Sequence, residues 1–380
     1  MKIAIIGTIA ESILGFRADL IVKLVSQGHE VFAFALDYNP STSERVKKLG
    51  AVPVEYRFNR GGMNPLADAY NTVALSLLLR KTSPDLVFCY FSKPVIFGTL
   101  AAVLAGVKRR IGMLEGLGYI FTDQPTGIST KSKMLKLIQV FLYRISFPFL
   151  ERIIFLNPDD PVDLVEKYNL RVGAVSVLGA IGLNLDSYPY LAARHPKTSF
   201  IFVGRLLAEK GINDSVAAAK LVKINYPDVE FVVLGGLDEK MPGGLSAKDL
   251  KKLIDDDVII YPGHVTNVVE WITNSSVFVL PSYYREGIPR STQEAMAVGR
   301  PVITTDVPGC RETVIDGVNG FLIPPWSPEV LAEKMIYFIE NVSAIELMGM
   351  ESNKIAREKF DCNIANNKLI SYFQAQKTYK

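Results

Sequence analysis

Cysteine is scarce in this sequence. The three in 380 residues, Cys89, Cys310 and Cys362, are too widely spaced for a disulfide framework or a zinc pattern, so a cytosolic protein is expected. Long hydrophobic runs are missing too. The longest strongly apolar stretch free of charge, Pro94 to Val107, falls short of the roughly 20 residues a membrane span needs and reads as a buried helix. The opening Met1-Lys2-Ile3-Ala4-Ile5-Ile6-Gly7 resembles a signal peptide only superficially. Its apolar run stops at Gly7, Glu11 follows, and no small-residue cleavage site is evident; a first buried strand fits better. Neither G-x-G-x-x-G nor G-x-x-x-x-G-K-[ST] occurs, which weighs against a dinucleotide enzyme and a P-loop NTPase. No repeat at a solenoid period is present.

What the chain does contain is a folded protein's composition, 49% hydrophobic and 21% charged, at a length that exceeds one hydrophobic core and implies two domains. The net charge of +3 is unevenly distributed. Residues 1–190 carry 21 basic and 16 acidic side chains, and residues 191–380 carry 21 and 23. A basic first half suits nucleic acid, an anionic membrane surface or a phosphorylated substrate. Nucleic acid is disfavoured, because the excess is small and no recognition motif or basic patch interleaved with aromatics appears.

Short apolar runs alternate with helical patterns in both halves. They are Ile3–Ile6, Val31–Leu36, Leu86–Tyr90, Ile153–Leu156 and Val175–Leu178, then Phe200–Val203, Phe231–Leu234, Val258–Tyr261, Val277–Leu280, Val302–Thr305 and Phe321–Ile323. Continuous apolar strands separated by helices predict parallel sheets covered on both faces. The fold class is therefore α/β with two Rossmann-like, doubly wound domains whose ligand loops lie at the carboxyl ends of the strands. The expected division is an N-terminal domain over 1–180, a linker and hinge over 181–197, a C-terminal domain over 198–355, and a terminal helix over 356–380 that crosses back to the first domain.

Two loops of the second half carry candidate chemistry. After Val203 comes Gly204-Arg205-Leu206-Leu207-Ala208-Glu209-Lys210-Gly211. Cations at a strand-to-helix turn can clamp adjacent phosphates, assisted by helix N–H groups; two solvated surface cations are the plainer alternative. After Leu280 comes a turn with Glu286-Gly287-Ile288-Pro289, then a helix from Arg290 that contains Glu294 and stops before Gly299, a C′ glycine. Carboxylates in the turn and one turn into the helix can accept vicinal hydroxyls of a ribose or pyranose, and the helix start between them suits a diphosphate. A surface glutamate and a helix salt-bridge partner would account for an isolated pair equally well.

The two loops together, G-R-L-x-x-x-K-G (Gly204 to Gly211) and E-G-x-P-x-x-x-x-E (Glu286 to Glu294), resemble the signature of glycosyltransferase family 4, a retaining family with the two-domain GT-B fold. Pro-Gly-Cys-Arg-Glu at 308–312 and Asp-Gly-x-x-Gly-Phe at 316–321 extend the match. The resemblance implies two Rossmann-like domains facing a central cleft and a UDP-sugar donor. It makes Arg205, Lys210 and Glu286 the catalytic group: Arg205 and Lys210 neutralise the diphosphate leaving group and Glu286 holds the donor sugar. Gly204, Gly287, Ile288, Pro289, Ser291 and Thr292 line the donor site, Glu294 takes the ribose, and Val265 lies where the family holds the nucleobase. His264 beside it reads as a surface histidine. Fixed cations replace a divalent ion, so no metal and no cofactor are expected; the Asp255-Asp256-Asp257 run reads as a solvated helix end rather than a metal site.

In the first half, Leu114-Glu115-Gly116-Leu117-Gly118 resembles family members that extend undecaprenyl-diphosphate-linked sugars, including bacterial N-acetylgalactosaminyltransferases. Glu115 stands where many members have histidine, and is either an acceptor or donor hydrogen-bond partner or a structural turn carboxylate. Arg17 either meets the acceptor diphosphate or is a surface cation at a helix start. The segment from Lys131 to Arg144 mixes bulky apolar residues with Lys131, Lys133, Lys136 and Arg144. That pattern suits an anionic membrane interface, while a core helix with a solvated face explains its apolar content nearly as well. The resulting expectation is a peripheral enzyme on the inner face of the cytoplasmic membrane that moves N-acetylgalactosamine, or another N-acetylhexosamine or hexose, onto a lipid-diphosphate-linked saccharide in surface polysaccharide assembly. A UDP-sugar epimerase of related architecture and a non-catalytic scaffold are the alternatives.

Overall fold

The computed structural model describes residues 1–59, 64–193, 197–238 and 243–375. It contains two separate parallel sheets, each in its own unit.

The first sheet holds β1 (Lys2–Ile6), β2 (Glu30–Ala35), β3 (Val52–Glu55), β4 (Leu86–Tyr90), β5 (Arg109–Leu114), β6 (Arg152–Phe155) and β7 (Val175–Val177), in the order β3-β2-β1-β4-β5-β6-β7. Every pairing is parallel. Apart from Lys2, β1 and β4 are wholly buried, as expected for strands covered on both faces. Two of these strands are absent from the apolar runs, although a strand near Ile111, the place of β5, is expected before the Leu114–Gly118 segment. β3 carries Pro53 and lies at the edge, where a missing N–H is tolerated. β5 opens on Arg109 and Arg110 and is interrupted by Gly112, whose missing side chain leaves room for Ile153, Leu150 and Val95.

The second sheet holds β8 (Ser199–Val203), β9 (Glu230–Leu234), β10 (Ile260–Gly263), β11 (Val277–Leu280), β12 (Val302–Thr305) and β13 (Gly320–Ile323), in the order β10-β9-β8-β11-β12-β13. Here too all pairings are parallel. β10 begins two residues later than the apolar run suggested. The chain leaves the preceding helix Ala247–Asp255 through Asp257 in a left-handed conformation, so Val258 and Ile259 are buried in the connection rather than laddered. In both sheets the chain reverses direction beside its first strand. The switch points lie between β1 and β4 and between β8 and β11, the crevices where open α/β sheets bind ligands.

The first unit comprises Met1–Ile120, Ser129–Ile181 and the chain from Cys362 onward; the second comprises Phe121–Ile128 and Gly182–Asp361. The segment expected as a linker is largely built into the second unit. Leu183 N–H donates to Phe360 O at 2.8 Å and Leu191 N–H to Val298 O at 3.3 Å. Residues 194–196 of that segment, and 376–380 of the expected terminal helix, lie outside the described residues. The helix Val342–Lys359 remains with the second unit, and the chain joins the first at Cys362, six residues beyond the expected boundary. There the helix Cys362–Gln374 packs Phe373 on Phe88 with ring centroids 5.2 Å apart, and Lys368 Nζ donates to Val177 O at 2.8 Å.

Candidate active site

The β8 and β11 loops meet at the second switch point. From Gly204 the chain passes Arg205, makes a single turn over Ala208–Lys210, and enters the helix Ile212–Asn225 through Gly211. Gly211 has φ +83°, and a Cβ there would stand 2.2 Å from Pro281 O. Only glycine allows the first loop to press so closely on the second. The contact is reinforced at the Glu209 carbonyl, which accepts from Tyr283 N–H at 2.9 Å, Tyr284 N–H at 3.0 Å and the Ser282 hydroxyl at 3.1 Å.

This junction brings Lys210 and Glu286 together. Lys210 Nζ lies 2.6 Å from Glu286 Oε1, and the side chains are only 16% and 12% exposed. The Ser282 hydroxyl shares its one proton between the Glu209 carbonyl and this same oxygen, 2.9 Å away, and Lys210 Nζ lies 5.5 Å from the Tyr284 ring centroid. The β12 loop supports the turn from behind. Gly309, at φ +85°, approaches so closely that a Cβ would meet Gly287 O at 2.3 Å. The Thr305 hydroxyl donates to Ser282 O, and the Cys310 thiol lies 3.7 Å from the same carbonyl. Burial, then the Glu286 carboxylate, pushes the Cys310 thiol up to about 12.

Glu294 lies one turn into the helix Arg290–Ala297. Its Oε1 accepts from Arg290 Nε at 3.0 Å and from the Tyr188 hydroxyl at 3.0 Å. Burial, then the neighbouring carboxylate, raises the Tyr188 pKa. The helix begins at Pro289 without a side-chain cap; Ser291 is half-buried and Thr292 buried in its first turn. Gly299 takes the expected C′ position with φ +88°. Arg205 is half exposed and stands 4.0 Å from Asp238 of the β9 loop. Gly204 and Ile288 are half-buried, while Gly287 and Pro289 are buried.

Val265 and His264 follow β10, the edge strand, and are separated from β8 by β9; His264 is exposed and Val265 half-buried. Asp255 pairs with Lys251 at 2.6 Å and Asp257 with Lys223 at 3.4 Å, at an exposed helix end. Among the described residues no group of three or more His, Cys, Asp or Glu is arranged to hold a metal.

In the first unit, Arg17 and Glu115 form an ion pair between their Nη2 and Oε1 atoms. Arg17 is not the surface cation its place before a helix suggested. Its side chain is 1% exposed, at the break between the helices Ala10–Phe16 and Ala18–Ser26, and its guanidinium lies 4.3 Å from the Tyr90 ring centroid. A buried guanidinium must be paired or hydrogen-bonded, and here the β5 loop supplies Glu115. Tyr90 sits at the end of β4; burial pushes its hydroxyl up to about 12 against the opposing pull of Arg17.

The sequence reading passed over Ser282, Tyr188, and the second-unit segment Phe121–Ile128. In that segment the Thr122 hydroxyl accepts from Arg285 N–H at 3.0 Å, and the Gln124 amide donates to Glu209 Oε1 at 3.4 Å. Ser282 lies two residues past the end of β11 and is legible as a candidate; for Tyr188 and Thr122 nothing local signals the contact.

Residues 190–355 match the family model described as glycosyl transferases group 1. Two curated relatives are similar over most of their length. One is the N,N'-diacetylbacillosaminyl-diphospho-undecaprenol alpha-1,3-N-acetylgalactosaminyltransferase of Campylobacter jejuni, 27% identical over 90% of each chain. The other is the UDP-Gal:alpha-D-GlcNAc-diphosphoundecaprenol alpha-1,3-galactosyltransferase of Escherichia coli, 28% identical over 68% of this chain and 67% of that one. An Anabaena protein crystallised with UDP and glucose superposes with a TM-score of 0.76 over 99% of this chain and all of that one, at 16% identity, a likeness of fold. With its two Rossmann sheets, its paired β8 and β11 loops and the matching family model, the chain carries a group 1 glycosyl transferase domain on a GT-B fold and is a glycosyltransferase.

Proposed function

We propose that the protein transfers a sugar from a UDP-linked donor to an undecaprenyl-diphosphate-linked saccharide, with retention of anomeric configuration, in surface polysaccharide assembly. N-acetylgalactosamine is the first choice of donor sugar, ahead of other N-acetylhexosamines and hexoses. The observation that carries the reading is the Lys210–Glu286 contact at the β8/β11 switch point. Cleavage of the sugar–phosphate bond leaves negative charge on a diphosphate and oxocarbenium character on the sugar. An ammonium held rigidly beside a carboxylate answers both, and its value grows as that charge develops. Arg205 adds a second, more exposed cation. The uncapped first turn of the helix Arg290–Ala297 offers the amides of Ser291 and Thr292 to the phosphates. Glu294, oriented by Arg290 and Tyr188, accepts the ribose hydroxyls. With the diphosphate neutralised by side chains, transfer proceeds without a divalent ion, and the leaving diphosphate assists displacement on the face it departs from.

The acceptor assignment is supported by the names of both relatives and by the Glu115 loop. Membrane association is supported by the helix Thr130–Ser146, on which Met134, Leu137 and Phe141 are each more than half exposed while its buried residues are Val140, Tyr143 and Ser146. A core helix would turn these residues inward. Among the described residues no helix is long and apolar enough to cross a membrane.

The test is UDP release from a panel of UDP-sugars, with and without a synthetic diphosphate-lipid-linked saccharide, in the presence of EDTA. Acceptor-dependent release with one donor, and an NMR spectrum that shows the donor's anomeric configuration in the product, are expected. Interconversion of the UDP-sugar without acceptor would replace the reading with an epimerase, and loss of turnover in EDTA would reject metal independence.

A further inference from the structure

A groove of about 1040 Å³ in the first unit runs between the helices Pro65–Thr82, Thr99–Ala105 and Thr130–Ser146. Its walls are almost entirely apolar, with Ala69, Val73, Phe97, Leu100, Met134 and Leu142 among them. That volume stands at the upper end of small-molecule sites. Asp68, Phe97, Leu135 and Leu142 also line a second chamber of about 340 Å³, which adds Ser92, Lys93, Gln139, Gly118 and Tyr119. The groove thus adjoins, through shared residues, a second chamber that is also mainly apolar, with Ile96 and Ile120 in its wall, but that carries Lys93, Ser92 and Gln139. At the join, Lys93 Nζ stands 3.5 Å from buried Asp68 and donates to Asn59 O at 2.7 Å. Leu117 and Gly118 of the chamber belong to the loop that carries Glu115.

We propose that the groove holds the isoprenoid chain of a polyprenyl diphosphate, with the diphosphate in the adjoining chamber against the Lys93 ammonium. This rests on the acceptor class given above and assigns that acceptor's lipid a site. The argument is one of shape and charge. A bilayer surface can cover exposed apolar residues, but it cannot fill a groove walled by three helices; a single hydrocarbon chain can. Two mainly apolar cavities with one ammonium, Lys93, in the smaller of them suit a molecule that is apolar along most of its length and anionic at one end. Lys93 supplies a positive charge in the smaller chamber, and exposed Lys131 supplies another in the groove lining. A diphosphate there shares the Lys93 ammonium with Asp68, whose 3.5 Å contact leaves that ammonium free to make charge-assisted hydrogen bonds to phosphate oxygens. A saccharide attached beyond the diphosphate then extends along the Leu117–Gly118 wall toward Glu115.

The probe is radiolabelled geranylgeranyl diphosphate in equilibrium dialysis with the full chain, free of vesicles and donor. Saturable binding is expected, with inorganic pyrophosphate a poor competitor. Ala69→Trp and, separately, Val73→Trp place a ring in the groove from exposed positions. Each should weaken binding at least about ten-fold, the effect of losing a few buried methylenes of contact, with an unchanged urea midpoint. Lys93→Gln should weaken the diphosphate probe about ten-fold and leave geranylgeraniol unaffected. Leu137→Glu/Phe141→Glu alters exposed residues outside the groove lining and should reduce sedimentation with phosphatidylglycerol vesicles without changing probe binding. The proposal is overturned if the probe does not bind saturably. It is equally overturned if both tryptophan variants bind normally while Leu137→Glu/Phe141→Glu does not, an outcome that makes the apolar face a bilayer contact only. Because the assay contains no donor, probe binding without transfer would reject the acceptor reading and keep the groove. Transfer to a water-soluble diphosphate acceptor without probe binding would do the reverse.

Discussion

Replacing Lys210 with alanine separates the two roles this side chain can have. At 2.6 Å and an effective dielectric constant near 20, its attraction to Glu286 is about 6 kcal/mol before desolvation is subtracted. Removing one partner of a fully buried pair costs about 3–5 kcal/mol. Here Glu286 is 12% exposed and keeps the Ser282 hydroxyl, so the loss of stability should be smaller, about 1–3 kcal/mol. Transition-state stabilisation should fall further. A fixed donor aimed at developing negative charge is worth about 10²- to 10³-fold in kcat. Lys210→Ala/Glu286→Gln removes the stranded charge, so it should regain part of the lost stability and none of the activity. Urea denaturation reads the first quantity, and acceptor-dependent UDP release reads the second. If folded Lys210→Ala retains turnover within about three-fold of the unaltered chain, far from the loss expected of a diphosphate ligand, the donor-site assignment is wrong. If the double variant recovers turnover along with stability, Lys210 serves only to neutralise Glu286.

Three further outcomes follow from the same geometry. Glu294→Gln keeps the shape but loses the charge held between Arg290 and Tyr188; steady-state kinetics should show KM for the donor raised about ten-fold with a smaller change in kcat, as for lost ground-state binding. Arg300 is fully buried and donates to the carbonyls of Ile272, Thr273, Leu191 and Gly299. Arg300→Met should therefore cost about 3 kcal/mol or more in urea unfolding, since several buried acceptors lose their donor. The third concerns Cys310, whose thiol burial raises to about 12. A folded-state pKa above the unfolded value contributes stability that is complete below the ordinary thiol range and is lost as pH climbs through that range toward 12. At pH 9, iodoacetamide should label Cys310, located by mass spectrometry, only as fast as the protein unfolds; rapid labelling of the folded chain would contradict the burial.

Much of the fold is legible because its strands are buried on both faces and so appear as continuous apolar runs, as in β4, Leu86-Val87-Phe88-Cys89-Tyr90. Where another requirement intrudes on the run, the signal fails. Pro53 at a sheet edge hides β3, and the need for a small residue at Gly112 interrupts the run of β5, which is legible only as a strand near Ile111. The terminal crossover was legible in outline, but its boundary was not, since nothing in the residues from 356 to 361 announces that the helix before them belongs to the second unit. The exposed apolar face of the helix Thr130–Ser146 was ambiguous for a similar reason: amphipathic spacing says which residues share a face, not what covers it.

By itself, then, the sequence determined two parallel α/β sheets and the local chemistry of the loops after β8 and β11, because strand burial and strand-to-helix turns are encoded within a few consecutive residues. Tertiary structure alone decided which of these groups touch. Lys210 meets Glu286 because Gly211 lets two loops close on one another; Tyr188 reaches Glu294 from a segment that reads as linker; Arg17 finds Glu115 from 98 residues away and is buried by it. Such contacts are set by the order of strands in the sheet, which brings distant loops to one switch point, and that order is a property of the packed chain rather than of any stretch of it.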